Sequence, residues 1–262
     1  MYSAWCLGSI WNRRCFEMRL AVISDIHGNL VALEAVLAAI TARDIEIIIC
    51  LGDVAATGPQ PQQVIERLRA IGCPVVMGNT DAWLLEPKLE ETTDPFTQRI
   101  QDIDLWGAQQ LSTADKEYLR AFQPTLAYPL IDGKMLLGYH GSPRSFHEQI
   151  LPITPQEELD QAFAGVHADI LIGGHTHLQM FRRYRDMLVL NPGSVGLAFD
   201  PVWPLEDARN PPWGEYAVVK VEGSTLSVEL CRVPFDVEAF IQAILNSGMP
   251  HAEWLANEWK AV

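Results

Sequence analysis

The sequence predicts an α/β fold whose sheet contains parallel strands, and two observations carry that reading. Short apolar runs alternate with helix-period segments through the first eighty residues, a pattern that belongs to parallel sheets with crossover helices. Five apolar runs then stop abruptly at Asp, His or Asn. Strands end this way when they deliver polar side chains to the carboxyl edge of a sheet, where sites in such folds form.

Each element comes from its own pattern. Residues 19–24 read as the first strand, broken at Asp25-Ile26-His27-Gly28-Asn29. Leu30, Leu33, Val36, Leu37 and Ile40 then share one helical face. Residues 47–51 form the next apolar run and end at Gly52-Asp53. A helix is expected over 61–70 and a short strand over 74–77, ending at Gly78-Asn79. Residues 82–124 differ in character: Trp83, Leu84 and Leu85 lead into an acidic, Thr-rich loop, and helical periods come after it at about 97–111 and 113–122. Ser112 or Thr113 would cap the second. This stretch reads as a helical insert, lying over a site or simply peripheral.

The sheet resumes with a hairpin over 125–131 and 134–139, turning at Asp132-Gly133. Another strand, 168–172, runs into Gly173-Gly174-His175-Thr176-His177, and 187–190 leads to Asn191-Pro192-Gly193-Ser194. After a Pro- and Trp-containing loop at 200–213, a second hairpin occupies 216–221 and 226–233. Helices at about 236–247 and 251–259 lie in the closing segment 236–262. Trp254, Leu255 and Trp259 there pack on the domain or make an oligomer contact. No internal repeat is visible, so residues 18–262 are expected to form one domain.

Composition narrows the function classes. A chain of 262 residues with 48% hydrophobic and 20% charged side chains reads as a globular protein with a sizeable core. No apolar run approaches the roughly 18 residues of a membrane span, so no membrane partner is expected. The net charge of -14 disfavours contact with a nucleic-acid backbone. Cys6, Cys15, Cys50, Cys73 and Cys231 are scattered and odd in number, which points to a reduced, cytoplasmic protein. Residues 1–17 lack the periodic order that begins at Met18, and Arg13 and Arg14 fall on the wrong side of the apolar stretch for a signal peptide. They read as a disordered extension, or as a misassigned start with Met18 the natural first residue.

The five strand ends place Asp25, His27, Asp53, Asn79, His140, His175 and His177 at one edge. Imidazole and carboxylate ligands suit two divalent ions such as Mn, Fe, Zn or Ni, with Mg possible. If the backbone stays extended, Asp25 and His27 lie on one side, and so do His175 and His177. Two ions about 3.5–4 Å apart need a shared oxygen ligand, and Asp53 is the expected bridge. Taken singly, each piece has a bland reading: D-x-H as a turn, Gly52-Asp53 and Gly78-Asn79 as turn chemistry, His140 as a buried hydrogen-bonded histidine. Their order and strand context together are specific.

The series DIHGN (25–29), LGDVAATGP (51–59), GNTD (78–81), HGSP (140–143), GGHTH (173–177) and NPGS (191–194) resembles the calcineurin-like metallophosphoesterases, in particular their compact bacterial and archaeal phosphodiesterases. The resemblance runs from Met18 to about Ser194 and is expected to extend to the hairpin near Val233. It implies a four-layer αββα sandwich of two mixed sheets flanked by helices. It further implies one metal on Asp25, His27, Asp53 and His177, and a second on Asp53, Asn79, His140 and His175. The implied activity is hydrolysis of a small phosphorylated substrate, a diester or anhydride, by a metal-bridging hydroxide. One position departs from the pattern. Where many members have His, Thr80 stands here, and a hydroxyl is a poor general acid at neutral pH. Asp81, without that partner, either orients a metal ligand or caps a turn. Arg144 is a candidate phosphate contact, though a solvated surface arginine is the simpler reading. Two other readings compete: an interaction module that has lost catalysis, and a nuclease. The first would be marked by missing ligands, and the second would need a basic groove.

Overall fold

The computed structural model describes residues 17–200 and 210–259. The strands are β1 (Glu17–Ile23), β2 (Ile47–Cys50), β3 (Thr125–Pro129), β4 (Met135–Tyr139), β5 (Ile170–Ile172), β6 (Met180–Tyr184), β7 (Met187–Asn191), β8 (Trp213–Glu222) and β9 (Thr225–Pro234). The helices are α1 (Leu30–Thr41), α2 (Pro61–Ile71), α3 (Asn79–Leu85), α4 (Pro95–Gln110), α5 (Thr113–Arg120), α6 (Gln156–Ala162), α7 (Val237–Asn246) and α8 (Ala252–Asn257).

Two mixed sheets stack face to face. One has the order β2-β1-β8-β9, with β1 and β2 parallel and the other pairs antiparallel. The other has the order β3-β4-β5-β7-β6, with β4, β5 and β7 parallel and β3 and β6 antiparallel at its edges. Strand alternation sorts the side chains between layers. Leu20, Val22, Ile49, Leu51, Ile170, Ile172, Val219 and Val221 fill the space between the sheets. Their neighbours Ala21, Ile23, Cys50 and Val218 face the other way, onto α1 and α2. Leu171 and Val189 face α6 with Leu159 and Phe163. The fold is therefore helix, sheet, sheet, helix. Because both faces of these strands are buried, they read as continuous apolar runs rather than alternating ones. Truncating Ile172 to Ala in this doubly covered layer would cost about 2–5 kcal/mol.

The stretch between β2 and β3 is helical, as expected, and it reaches two parts of the molecule. Ile103 of α4 is buried with Phe240, Ile244 and Trp259 near the carboxyl terminus, and His251 meets Asp102 at 2.8 Å. On its other side, the Thr57 hydroxyl donates to Asp104 Oδ1 at 2.9 Å. No helix among the described residues is long and apolar enough to cross a membrane.

The structure corrects two local expectations and adds two elements. Residues 74–77 are not a full strand. Val75 and Val76 make single bridges to Cys50 and Gln123, because the chain turns into α3 at once. Asn79–Leu85, where a turn at Gly78-Asn79 was expected, is that helix; Asp81 at its third position accepts from the Gly78 N–H at 3.0 Å and so supplies the start signal. β6 and α6 had no expectation: β6 is an edge strand carrying Arg182 and Arg183, which hid its period. The expected extension, residues 1–17, lies outside the described residues except for Glu17, which opens β1. Residues 260–262 of the expected carboxyl-terminal segment lie outside them too.

Candidate metal centre

The carboxyl ends of β1, β2, β4 and β5 meet at one rim. Asp25 and His27 come after β1, Asp53 after β2, His140 after β4, and His175 and His177 after β5. Asn79 is the first residue of α3. Two groups result. One ligand atom each from Asp25, His27 and His177 lie within 4.8 Å of one another, and the same holds for Asp53, His140 and His175. Asn79 Oδ1 lies 2.9 Å from His140 Nε2, joining the second group. The groups share an edge: Asp53 Oδ2 is 3.3 Å from His140 Nε2 and 3.9 Å from His27 Nε2.

The backbone achieves this differently from the extended geometry expected of D-x-H. Asp25, His27, Asp53, His175 and His177 have φ of 54°, 49°, 52°, 69° and 56°, in the left-handed region that costs a non-glycine residue of order 1 kcal/mol or more each. The turns bring Asp25 and His27 into one group but send His175 and His177 to different ones. Hydrogen bonds hold the strain in place. Asp25 N–H donates to Gly52 O at 2.9 Å and His27 N–H to Asp53 O at 3.0 Å, which straps the first loop to the second. His175 N–H donates to Asp25 Oδ2 at 3.0 Å. The loops also approach too closely for any side chain at Gly78, where an added Cβ would lie 2.1 Å from Asp53 Oδ1.

The imidazoles are aimed by their far nitrogens. His140 Nδ1 sits 2.8 Å from the Leu51 carbonyl and His27 Nδ1 3.3 Å from that of Ala56. A carbonyl only accepts, so each Nδ1 carries a proton and each Nε2 is left as the atom that faces the site. His27 Nε2 and His177 Nε2 face each other at 3.1 Å, a spacing that requires a proton or a cation between them. The electrostatics repeat the demand. Burial works against charge on Asp25 and Asp53, but His177 beside the first and His140 beside the second hold both below the usual carboxylate range. Burial likewise opposes a charged His140, yet Asp53 lifts it to about 10. Burial and the neighbouring His177 push His27 down to about 4. Two buried carboxylates thus draw positive charge into the rim, and divalent cations answer the same demand as protons.

The other residues singled out from sequence have distinct places. The Thr80 N–H donates to Asp53 Oδ1 at 2.9 Å, while its hydroxyl is buried without a hydrogen-bond partner. Asp81 is fully buried and accepts from the N–H groups of Asp53, Val54 and Gly78 at 2.8, 2.9 and 3.0 Å. It therefore caps α3 and clamps the Asp53 loop at once. Arg144 lies on an exposed loop, its Nε donating to Glu148 at 2.9 Å, and it does not join the ligand groups.

Three supporting residues were not singled out from sequence. Asn191 Nδ2 donates to Gly174 O at 2.7 Å and to Thr176 Oγ1 at 3.1 Å, bracing the His175 turn. Ser194 Oγ donates to Asp25 O at 2.6 Å. Asn29 donates to Gly196 O at 3.0 Å and caps α1 by accepting from Ala32 N–H at 2.9 Å. Asn191 and Ser194 belong to the NPGS turn, and the signal available was its place directly after a strand.

Comparison with known proteins adds an independent line. The family profile described as the calcineurin-like phosphoesterase superfamily domain matches residues 18–223. An uncharacterized protein, MJ0912 of Methanocaldococcus jannaschii, is 28% identical over 90% of this chain and 95% of its own length. Phosphodiesterase YfcE of Escherichia coli is 27% identical over 69% of this chain and 80% of its own. The crystal structure of a metallophosphoesterase from Sphaerobacter thermophilus superposes with a TM-score of 0.70 at 25% identity, covering 93% of this chain and 98% of that one.

Proposed function

Because the chain belongs to the calcineurin-like phosphoesterase superfamily, we propose that its rim holds two divalent ions and hydrolyses phosphodiester or phosphoanhydride bonds of small molecules. Asp25, His27, Asp53 and His177 would hold one ion, and Asp53, Asn79, His140 and His175 the other. The observation that carries this reading is the shared edge at Asp53, whose carboxylate lies between the two histidine groups. When bound, such ions lower the pKa of a coordinated water toward neutrality and neutralise phosphoryl oxygens. The mixed imidazole and carboxylate donor set suits Mn, Fe, Zn or Ni, with Mg possible.

The chain's own residues do the positioning. The far-side carbonyls of Leu51 and Ala56 fix the imidazole tautomers, and Asp81 fixes the loop that carries Asp53. The Thr80 hydroxyl is buried, and a hydroxyl cannot protonate a leaving oxygen efficiently at neutral pH, so substrates with good leaving groups are favoured. Arg144, tied to Glu148, has no assigned part.

The test is metal analysis of the purified protein, followed by hydrolysis of bis(p-nitrophenyl) phosphate with Mn, Mg, Ni and Zn in turn. We expect about two ions per chain and metal-dependent turnover that Asp53→Ala abolishes. Stoichiometric metal with no turnover on any phosphoester would instead make the chain an interaction module on the same fold.

A further inference from the structure

A cavity of about 480 Å³ opens beside the ligand groups, within the size range of small-molecule sites. His175, Thr176 and His177 form one side of it, so it is continuous with the metal centre. Its other walls come from three distant parts of the chain: Phe96 and Ile100 of α4, Leu197 and Phe199 after β7, and Trp254 with Leu255 of α8. Phe96 meets Trp254 edge-on at 5.7 Å between ring centroids. Phe96 and Phe199 are among the few large apolar side chains left open to water, 58% and 38% exposed. Exposed aromatic rings in a concave wall next to a charged centre mark a binding surface.

Its charge is as informative as its shape. Among the described residues that line it there is no lysine or arginine, and Glu258 is the one carboxylate. Arg99 lies close, but its guanidinium is stacked over the Trp254 ring at 5.2 Å and it does not line the space. Thr57, Gln149 and Asn210 supply neutral polar atoms. On the side away from the rim, an anionic group would lose water without gaining a cationic partner among the described lining residues, which is unfavourable. A flat uncharged ring would cover apolar wall and stack on aromatic side chains.

Resting on the phosphoesterase reading above, we propose that this cavity receives an uncharged, flat apolar ester group of the substrate. The preferred substrates are then phosphodiesters of an aromatic or similarly planar alcohol, in preference to phosphoanhydrides, which would place a second anion on that side. The helices that build the wall set specificity, and the rim supplies the chemistry.

Calorimetric titration of the full-length, Mn-loaded protein with diphenyl phosphate and with dimethyl phosphate tests this, because the two diesters carry the same single charge. Diphenyl phosphate should bind at least about tenfold more tightly, and Phe96→Ala should remove most of that preference. Phe96 stands exposed in the first turn of α4, so its truncation leaves the core intact; Trp254→Phe, which keeps an aromatic face, should retain most of it. The kinetic counterpart compares p-nitrophenyl phenyl phosphate with p-nitrophenyl methyl phosphate, which share a leaving group: kcat/KM should favour the phenyl ester by a similar factor. Equal affinity for the two diesters, or a preference untouched by Phe96→Ala, overturns the proposal. The two readings separate cleanly. Selective binding of diphenyl phosphate without hydrolysis of any ester keeps the cavity assignment and removes the hydrolase. Hydrolysis of both p-nitrophenyl diesters with equal kcat/KM keeps the hydrolase and removes the cavity assignment.

Discussion

The rim that carries the ligands and the helical wall beside it are built on opposite principles. At the rim, five non-glycine residues hold positive φ, buried carboxylates face histidines, and loops touch closely enough to exclude even a Cβ. The wall is ordinary. α4 is a regular 16-residue helix with Asp94 as N-cap and Pro95 in its first turn, and it is held by the apolar packing of Ile103 together with the hydrogen bonds of Asp102 and Asp104. The difference teaches where identity matters. A strained, charged rim tolerates only residues that supply a given atom at a given place, whereas a packed wall asks only for size and apolarity. Substitutions at the rim should therefore be felt in metal binding, and those at the wall in selectivity or stability.

The sharpest break is expected at Gly78. A methyl group there would lie 2.1 Å from Asp53 Oδ1 and 2.4 Å from Asp53 N, so Gly78→Ala must displace the Asp53 carboxylate. Metal content should fall from about two ions to one or none, and hydrolysis with it. Elemental analysis alongside far-UV circular dichroism checks this; full metal with normal folding would mean that the rim is softer than its geometry implies.

Next in size is Asp81→Asn. The substitution keeps the volume but turns an amide N–H₂ toward at least one of three backbone donors. Loss of an outer partner of this kind typically lowers metal affinity by about 10–100-fold, and an orphaned buried donor costs about 1–3 kcal/mol. A competitive chelator titration should show the weaker affinity, and Tm the lost stability. If affinity holds while Tm drops, Asp81 only caps α3.

Thr80→His sharpens the comparison from within the rim. General acids contribute about 10²–10⁴-fold, so an imidazole at this place should raise turnover of poor-leaving-group dialkyl diesters at least tenfold. Activated aryl diesters should barely change. No gain on dialkyl diesters would remove leaving-group protonation as the meaning of this position.

The same contrast explains what could be read in the chain. The seven candidate ligand positions stood out because Asp, His and Asn at the ends of apolar runs are chemically conspicuous, and the runs themselves because both strand faces are buried. What did not show was anything set by long-range packing. Nothing local says that β8 returns from far along the chain to lie between β1 and β9. α3 hid behind Gly78-Asn79, which locally reads as a turn. The left-handed turns were missed because a two-residue spacing looks the same in an extended strand. Phe96 was invisible for the opposite reason to Asp25. An aromatic residue in the first turn of an amphipathic helix is unremarkable until the fold sets it opposite Trp254, near the far end of the chain.

The smallest effect expected joins rim and wall. Asp104 of α4 is pushed up to about 7 by burial, with the Thr57 hydroxyl working the other way and the charge of Asp53 adding to the rise. Below the ordinary carboxylate value of 3.8, Asp104 is protonated folded or unfolded, and it makes no pH-dependent contribution. As pH rises from there toward 7, the unfolded chain releases this proton first. The native state then binds more protons, and stability falls until the folded group also ionises. Asp104→Asn removes that penalty while the amide oxygen still accepts from Thr57. The variant should match the parent near pH 4 and exceed it above pH 7, the gap in Tm opening steadily between them. Loading the rim with Mn should narrow the gap, because cations beside Asp53 cancel the charge that Asp104 feels. Melting curves from pH 4 to 8, with and without metal, read both effects; a gap independent of pH would show that Asp104 is already ionised in the fold and that wall and rim are electrostatically separate.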